Sequence, residues 1–352
     1  MKNGCLDFAA RLIAWQKLHG RHHLPWQGMC DPYAIWVSEI MLQQTQVATV
    51  IPYYRRFLAR FPDIGTLAAA PEDEVLALWS GLGYYSRARN LHRAAQAVLA
   101  DHGGIFPREH AAVCGLPGIG RSTAAAVCVF AYGQGHAILD GNVKRVLARH
   151  FAIEGHPGEK QVENALWALA EKLLPATDIE AYTQGLMDLG AAICTRAKPR
   201  CGDCPLNAQC QAKRDGRTAE LPARRVRAAL PERESVLLML LCKGEILLEK
   251  RPPSGVWGGL WSLPEIAPGD DPAQAARARF GVELAGLECL PPRRHVFTHF
   301  RLRFTPVLAR VRTFSYEARQ AGALWLPLQE ALGAALPAPV RKLIEELNTD
   351  VS

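Results

Sequence analysis

The chain has 352 residues, enough for two domains that each bury a core. A 49% hydrophobic and 21% charged composition excludes a disordered or fibrous protein. The net charge of +7 admits a polyanionic partner, and ten cysteines without a secretory leader argue for reduced, partly metal-bound thiols rather than a disulfide framework.

Within the first twenty residues Cys5, Phe8, Ala9, Leu12 and Trp15 recur at helical spacing, with Asp7, Arg11 and Lys17 on the other side. That pattern predicts a surface helix and lacks the unbroken apolar stretch of a signal peptide. Helices are expected over Pro32–Gln44, Pro52–Arg60, Pro71–Leu78, Ser86–Ala100, Ser122–Tyr132, Val143–His150 and Gln161–Leu174. Asp31-Pro32 is a good start for the first of these, a capping carboxylate followed by a proline whose missing N–H costs nothing there.

After Cys210 the texture changes. The stretch "QAKRDGRTAELPARRVRAALPERE" carries seven basic and four acidic residues, two prolines and little periodicity, and reads as a linker. Beyond it, "SVLLMLLCKGEILLEKR" predicts two strands around the turn Lys243-Gly244-Glu245. "HVFTHFRLRFTPVLARV" alternates as one further strand, and helices over Pro272–Phe280 and Val340–Leu347 complete a small α+β domain. The longest apolar run, Val236–Cys242, is far short of a membrane span, so a cytoplasmic protein is expected.

Four cysteines fall within seventeen residues, Cys194, Cys201, Cys204 and Cys210, spaced C-x6-C-x2-C-x5-C. Thiolates converging from one short loop make a soft, closed, four-ligand site that suits zinc or an iron–sulfur cluster. With every position taken by protein, such a site favours a structural or redox role over Lewis-acid catalysis. Arg196, Lys198 and Arg200 lie in the same loop, where a metal would pin a small cationic knuckle against phosphates.

In "LPGIGRSTAAAV", Gly118 and Gly120 flank Ile119 just before a helix start. Lacking side chains, they let backbone N–H groups approach a phosphate at the positive end of a helix. With a helix before it, this reads either as an ordinary connection between two helices or as a helix-hairpin-helix, over about residues 109–132, a motif that grips the DNA backbone without reading sequence. Twenty residues on, "LDGNVKRVLAR" sets Asp140 on a turn ahead of an amphipathic helix. Glu39 stands in "WVSEIMLQQTQV". Each alone reads as a cap or surface residue. As a pair they match the needs of N-glycosidic bond cleavage, where one carboxylate steadies an oxocarbenium-like sugar and an acid protonates the leaving group.

These residues, with "GLGYYSRARNL", "YTQGLMDLGAAICTRAKPRCGDCPLNAQC", "WGGLWSLPE" and "HVFTHF", resemble the helix-hairpin-helix DNA glycosylase superfamily, and more narrowly its MutY-type adenine glycosylases, over nearly the whole length. The resemblance implies a mostly α-helical glycosylase domain over residues 1–215 with a 4Fe-4S loop at 194–210. A basic linker over 216–234 and an α+β Nudix-like lesion-recognition domain over 235–352 would follow. It implies one 4Fe-4S cluster on Cys194, Cys201, Cys204 and Cys210. The substrate would be duplex DNA with adenine opposite 8-oxoguanine or guanine, met by a monomer associated with the nucleoid. Glu39 would protonate the flipped adenine, Asp140 would stabilise the sugar cation, Asn142 would hold the aspartate and Gln184 would contact the adenine. Gln44 and Tyr84 would wedge into the stack that base flipping opens. Gln43, Gly118, Gly120 and Ser122 join them among the expected DNA contacts.

Two departures narrow the function. Endonuclease-III-type relatives carry a lysine in the helix after the glycine hairpin that attacks the sugar; here that position is Ser122, which implies a monofunctional glycosylase, with Lys144 the nearest amine in sequence. Nudix hydrolases hold their metal on a glutamate-rich helix, whereas the corresponding helix here reads "DPAQAARARFGVEL". Without those oxygen ligands, nucleotide hydrolysis is not expected. The domain would read the oxidised guanine instead, through Phe297, Thr298 and His299.

Overall fold

The computed structural model describes residues 2–225, 229–314 and 322–350. Val226, Arg227 and Ala228, inside the expected linker, lie outside the described residues, as does the side chain of Cys5. The chain forms two compact units, neither contiguous in sequence. One is Met1–Ala69 with Asn90–Arg227; the other is Ala70–Arg89 with Ala228–Ser352.

The first unit is helical: α1 (Lys2–His19), α2 (Pro32–Leu42), α3 (Val47–Arg60) and α4 (Ile64–Ala69) precede the excursion, and α6 (Ser86–Asp101) returns from it. Then follow α7 (His110–Gly115), α8 (Arg121–Tyr132), α9 (Gly141–His150), α10 (Lys160–Lys172) and α11 (Ile179–Asp188). One π-helical turn, Leu189–Ile193, leads from α11 into the cysteine loop, which ends at the short α12 (Gln211–Arg214). Asp31 caps α2 by accepting the Tyr33 N–H at 3.0 Å, with Pro32 at the first position, as the sequence predicts. Helix α1 buries Phe8 and Leu12 completely beside Tyr182 and Leu186 of α11. Helix α11, which carries Gly185 on the side facing α1, is not among the helices expected from the sequence. The same glycine lets α1 approach, since a Cβ there would stand 3.0 Å from Leu12. Helix α3 starts a turn before the expected Pro52, which it absorbs at the cost of the one hydrogen bond proline has no N–H to make.

The second unit contains α5 (Glu72–Trp79) and eight described strands: β1 (Glu232–Cys242), β2 (Glu245–Lys250), β3 (Trp261–Ser262), β4 (Glu265–Ile266), β5 (Val282–Cys289), β6 (Arg293–Val296), β7 (Arg301–Phe314) and β8 (Ala323–Pro327). The sheet runs β3-β2-β1-β7-β5 and is mixed, with β1 and β7 parallel from Glu232↔Arg301 to Leu241↔Arg310. Helices α13 (Pro272–Phe280), α14 (Leu328–Ala331) and α15 (Ala338–Asp350) complete it. Ala276 and Phe280 of α13 pack on Leu238, Leu240, Val307 and Ala309 of the central strands.

Two expectations shift here. Strand β1 begins inside the stretch read as linker, because its charged start is satisfied across the sheet: Glu234 pairs with Arg303 at 2.9 Å. The single strand expected through "HVFTHFRLRF" is two, β6 and β7, antiparallel about a turn at 297–300. Segment Ala70–Arg89 is fastened within this unit. The Ser80 hydroxyl donates to the Leu336 carbonyl at 2.7 Å, Tyr85 OH to the same oxygen at 3.2 Å, and Arg89 to the Gly258 carbonyl at 2.5 Å.

Candidate active site and cysteine loop

The helical unit holds a cavity of about 1300 Å³, and seven of the predicted residues line it: Glu39, Gln43, Gln44, Ser122, Asp140, Asn142 and Gln184. Glu39 is the only charged residue of α2, whose other positions are mostly buried core, so the helix delivers one carboxyl to the cavity wall. Burial, reinforced by the nearby charge of Asp140, pushes the Glu39 carboxyl up to about 8. Asp140 is the N-cap of α9 and accepts the Asn142 and Val143 N–H groups at 2.9 and 2.7 Å. Burial raises its carboxyl too, but those two backbone bonds, the Arg145 charge and the Asn142 side chain pull the other way. Burial thus raises both carboxyls of this cavity, but their surroundings differ: the Asp140 charge adds to the shift at Glu39, whereas a helix N-terminus, Asn142 and Arg145 oppose it at Asp140.

Gly118 has φ +78°, and a Cβ there would lie 2.5 Å from the Asn90 side chain, so the chain itself demands glycine. At Gly120 a Cβ would meet nothing within 4 Å. The Ser122 hydroxyl accepts the Leu139 N–H at 2.9 Å, tying the hairpin to the residue before Asp140. Gln43 donates to the Thr123 hydroxyl at 3.3 Å. Lys144 pairs with Glu163 at 2.5 Å. The two wedge candidates, Gln44 and Tyr84, have φ of +57° and +50°, a left-handed backbone that costs a side-chain-bearing residue about 1–2 kcal/mol. Gln44 lines the cavity, whereas Tyr84 belongs to the other unit and is 42% exposed.

Cys194, Cys201, Cys204 and Cys210 line one small cavity, although among the described residues no three His, Cys, Asp or Glu side chains form a set for a single metal ion. Burial pushes the Cys204 thiol up to about 12 and raises Cys210 as well. Arg196, Lys198 and Arg200 are exposed on the loop, with Arg200 3.6 Å from Asp203.

Behind the loop stand two arginines, Arg145 and Arg149, that nothing in the sequence pattern marks as part of a site. Arg149, only 3% exposed, donates to the carbonyls of Thr195 (2.7 Å), Arg196 (3.2 Å) and Leu221 (2.8 Å) and to the Cys194 sulfur (3.4 Å). Arg145 donates to the Cys194 and Gly190 carbonyls and to Asn142 Oδ1, all at 2.8 Å, so one side chain spans from the cysteine loop to the neighbour of Asp140. Gly190 permits this closeness: a Cβ there would lie 2.5 Å from the Asn142 Cβ. The π-helical turn that carries Gly190 sits where such irregularities often mark functional sites.

In the second unit Phe297 stacks on the buried Phe300, centroids 4.4 Å apart, leaving Thr298 and His299 exposed at the turn. On α13, Arg279 grips Glu249 through 2.6 and 2.7 Å bonds and donates to the Glu265 carbonyl at 2.8 Å. A guanidinium thus holds the carboxylate beside a helix that lacks acidic residues.

Residues 37–172 match the family described as HhH-GPD superfamily base excision DNA repair protein, and residues 235–346 match the NUDIX domain. The adenine DNA glycosylase of Buchnera aphidicola subsp. Baizongia pistaciae is 36% identical over 343 residues, covering 97% of each chain. The chain belongs to the adenine DNA glycosylase family. The Mus musculus adenine DNA glycosylase is 33% identical over 398 residues, covering 96% of this chain and 77% of that one. Among solved structures a thermostable thymine-DNA glycosylase aligns with a TM-score of 0.55 at 31% identity, over 61% of this chain and 98% of its own. An endonuclease III bound to DNA shares the helical fold, with a TM-score of 0.52 at 21% identity, over 61% of this chain and 98% of its own. The expected architecture, a helical glycosylase domain followed by an α+β Nudix-like one, is the architecture of this adenine glycosylase family member. No helix among the described residues is long and apolar enough to cross a membrane.

Proposed function

We propose that this adenine glycosylase hydrolyses the N-glycosidic bond of adenine opposite 8-oxoguanine in duplex DNA, after flipping the adenine into the Glu39–Asp140 cavity. The contrast between these two carboxyls carries the reading. Glu39, held protonated by burial, gives its proton to the adenine and makes it a neutral leaving group. Asp140, held by the α9 N-terminus and by Asn142, faces the sugar as positive charge develops, and water then completes the hydrolysis. Gln184 contacts the base. Gln44 and Tyr84 fill the stack, while Gln43, Gly118, Gly120, Ser122, Arg196, Lys198 and Arg200 hold the backbone.

Loss of the base proceeds without strand cleavage, because Ser122 offers no amine and its hydroxyl serves the Leu139 N–H, while Lys144 is paired with Glu163. Phe297, Thr298 and His299 read the oxidised guanine. The domain limits proposed are 1–215 and 235–352, in a monomer at the nucleoid.

The cysteine loop suits a 4Fe-4S cluster. The donor set fits it: four cysteine sulfurs around one cavity offer a soft, closed, all-thiolate site. Cys194, Cys201, Cys204 and Cys210 would hold it, with the Arg149 guanidinium against the Cys194 sulfur. Bound there, the cluster supplies a cross-link that folds the loop and sets its cations.

The deciding assay uses a duplex with one adenine opposite 8-oxoguanine, treated with hot alkali after incubation. Cleavage at the adenine is expected, and its absence refutes the reading. Borohydride trapping at a rate matching base release would refute the monofunctional mechanism.

A further inference from the structure

Asp188 is the last residue of α11 and is 1% exposed. Its carboxylate accepts three hydrogen bonds: the Arg21 backbone N–H on Oδ2 at 2.8 Å, and Arg21 Nε and Gln184 Nε2 on Oδ1 at 2.6 and 2.8 Å. Arg21 and Gln184 line the cavity together with Glu39 and Asp140; Asp188 stands behind them.

An ionised carboxylate only accepts, so the Gln184 amide can meet it only through its NH₂ end. Turning the amide over would set Oε1 against Oδ1, two acceptors within hydrogen-bond distance and largely shielded from water. A glutamine without such a partner turns over at little cost and serves either a donor or an acceptor. Here Arg21, bonded through both backbone and guanidinium, fixes the carboxylate, and the carboxylate fixes the amide.

We infer that Asp188 is a specificity-setting positioning residue: it locks Gln184 with its carbonyl oxygen free for the cavity, so that the pocket takes a purine bearing an exocyclic amine and rejects one bearing an exocyclic carbonyl. The inference rests on the cavity being the adenine pocket. Adenine presents an N–H donor at its 6-position, whereas guanine and hypoxanthine present an oxygen there, which would face the Gln184 oxygen lone pair to lone pair.

The test compares single-turnover base release from three duplexes, with adenine, unsubstituted purine or hypoxanthine opposite 8-oxoguanine. Asp188→Asn keeps the shape but lets the amide at 184 take either orientation. It should narrow the preference for adenine over each of the other two roughly ten-fold, the worth of one well-placed hydrogen bond. Gln184→Ala should narrow it similarly, and adding Asp188→Asn to that variant should narrow it no further. Wild-type ratios in Asp188→Asn, or an equal loss on all three bases, would overturn the inference. So would an unchanged ratio in Gln184→Ala. If Asp188→Asn does not melt as wild type does, Asp188→Ser, whose hydroxyl also serves either orientation, carries the same comparison. Failure of the wild-type protein on the adenine duplex strikes the pocket reading instead, and so is told apart.

Discussion

Replacing Glu39 by glutamine should remove the activity and make the protein more stable. Between pH 4.5, the ordinary value for the group, and about 8, the folded state keeps a proton that the unfolded chain has released. Where the folded state binds more protons, stability falls as pH rises. The contribution is fully present below pH 4.5, is lost progressively through the window and is gone above about 8. At about 1.4 kcal/mol per pH unit, the loss amounts to at most about 5 kcal/mol, less whatever the water in the cavity screens. Glu39→Gln cannot ionise and escapes it. Its melting temperature should match wild type near pH 4.5 and exceed it increasingly up to pH 8. Its rate of base release should fall at least about 100-fold, the usual worth of a positioned acid. The wild-type rate should hold to about pH 8 and drop ten-fold per unit beyond. Two results would refute the reasoning: a stability difference independent of pH, or a rate that already declines around pH 5.

Asp140→Asn should lower single-turnover base release at least about 100-fold yet shift stability by less than about 1 kcal/mol, since asparagine caps α9 nearly as well; paired rate and urea-melt measurements check it. Arg149→Ala leaves the buried Leu221 carbonyl and the part-buried Thr195 and Arg196 carbonyls without their donor, and should cost about 3 kcal/mol and lower the iron content of the purified protein, read by metal analysis. Gly190→Ala should slow base release about ten-fold by displacing Asn142, while binding to an abasic duplex, measured by anisotropy, stays near wild type. Millimolar magnesium should leave the melting temperature unchanged, because Arg279 already neutralises Glu249.

The features legible in the sequence are those whose reason is local. Asp31-Pro32 announces α2, the unbroken apolar run after Ser235 announces β1, and the cysteine spacing announces a ligand loop. What stayed hidden depends on partners distant in the chain. Arg145 and Arg149 lie on an amphipathic helix, where an arginine ordinarily faces solvent; the carbonyls they bond beyond that helix come forty-five to seventy-two positions later. Glu39 is recognisable as a candidate acid, but its shifted titration arises from burial and from Asp140, a hundred residues away. Asp188 gives no signal at all beyond being an acidic residue at a helix end. The residues Phe297–His299 alternate as a strand does, so periodicity alone hides their turn; the family resemblance makes them a loop, and the pairing of β6 with β7 agrees.

The fastening of Ala70–Arg89 among residues of the C-terminal unit bears on how separable the parts of this enzyme are. A protease nick at the basic linker divides the polypeptide but not the fold, and a fragment ending there keeps Ser80, Tyr85 and Arg89 without the carbonyls they bond. A swap of C-terminal domains between relatives would need to carry this segment as well. Tyr84 lies within it, so this exposed aromatic and the Phe297–His299 turn belong to one compact unit, and Glu39 and Asp140 to the other.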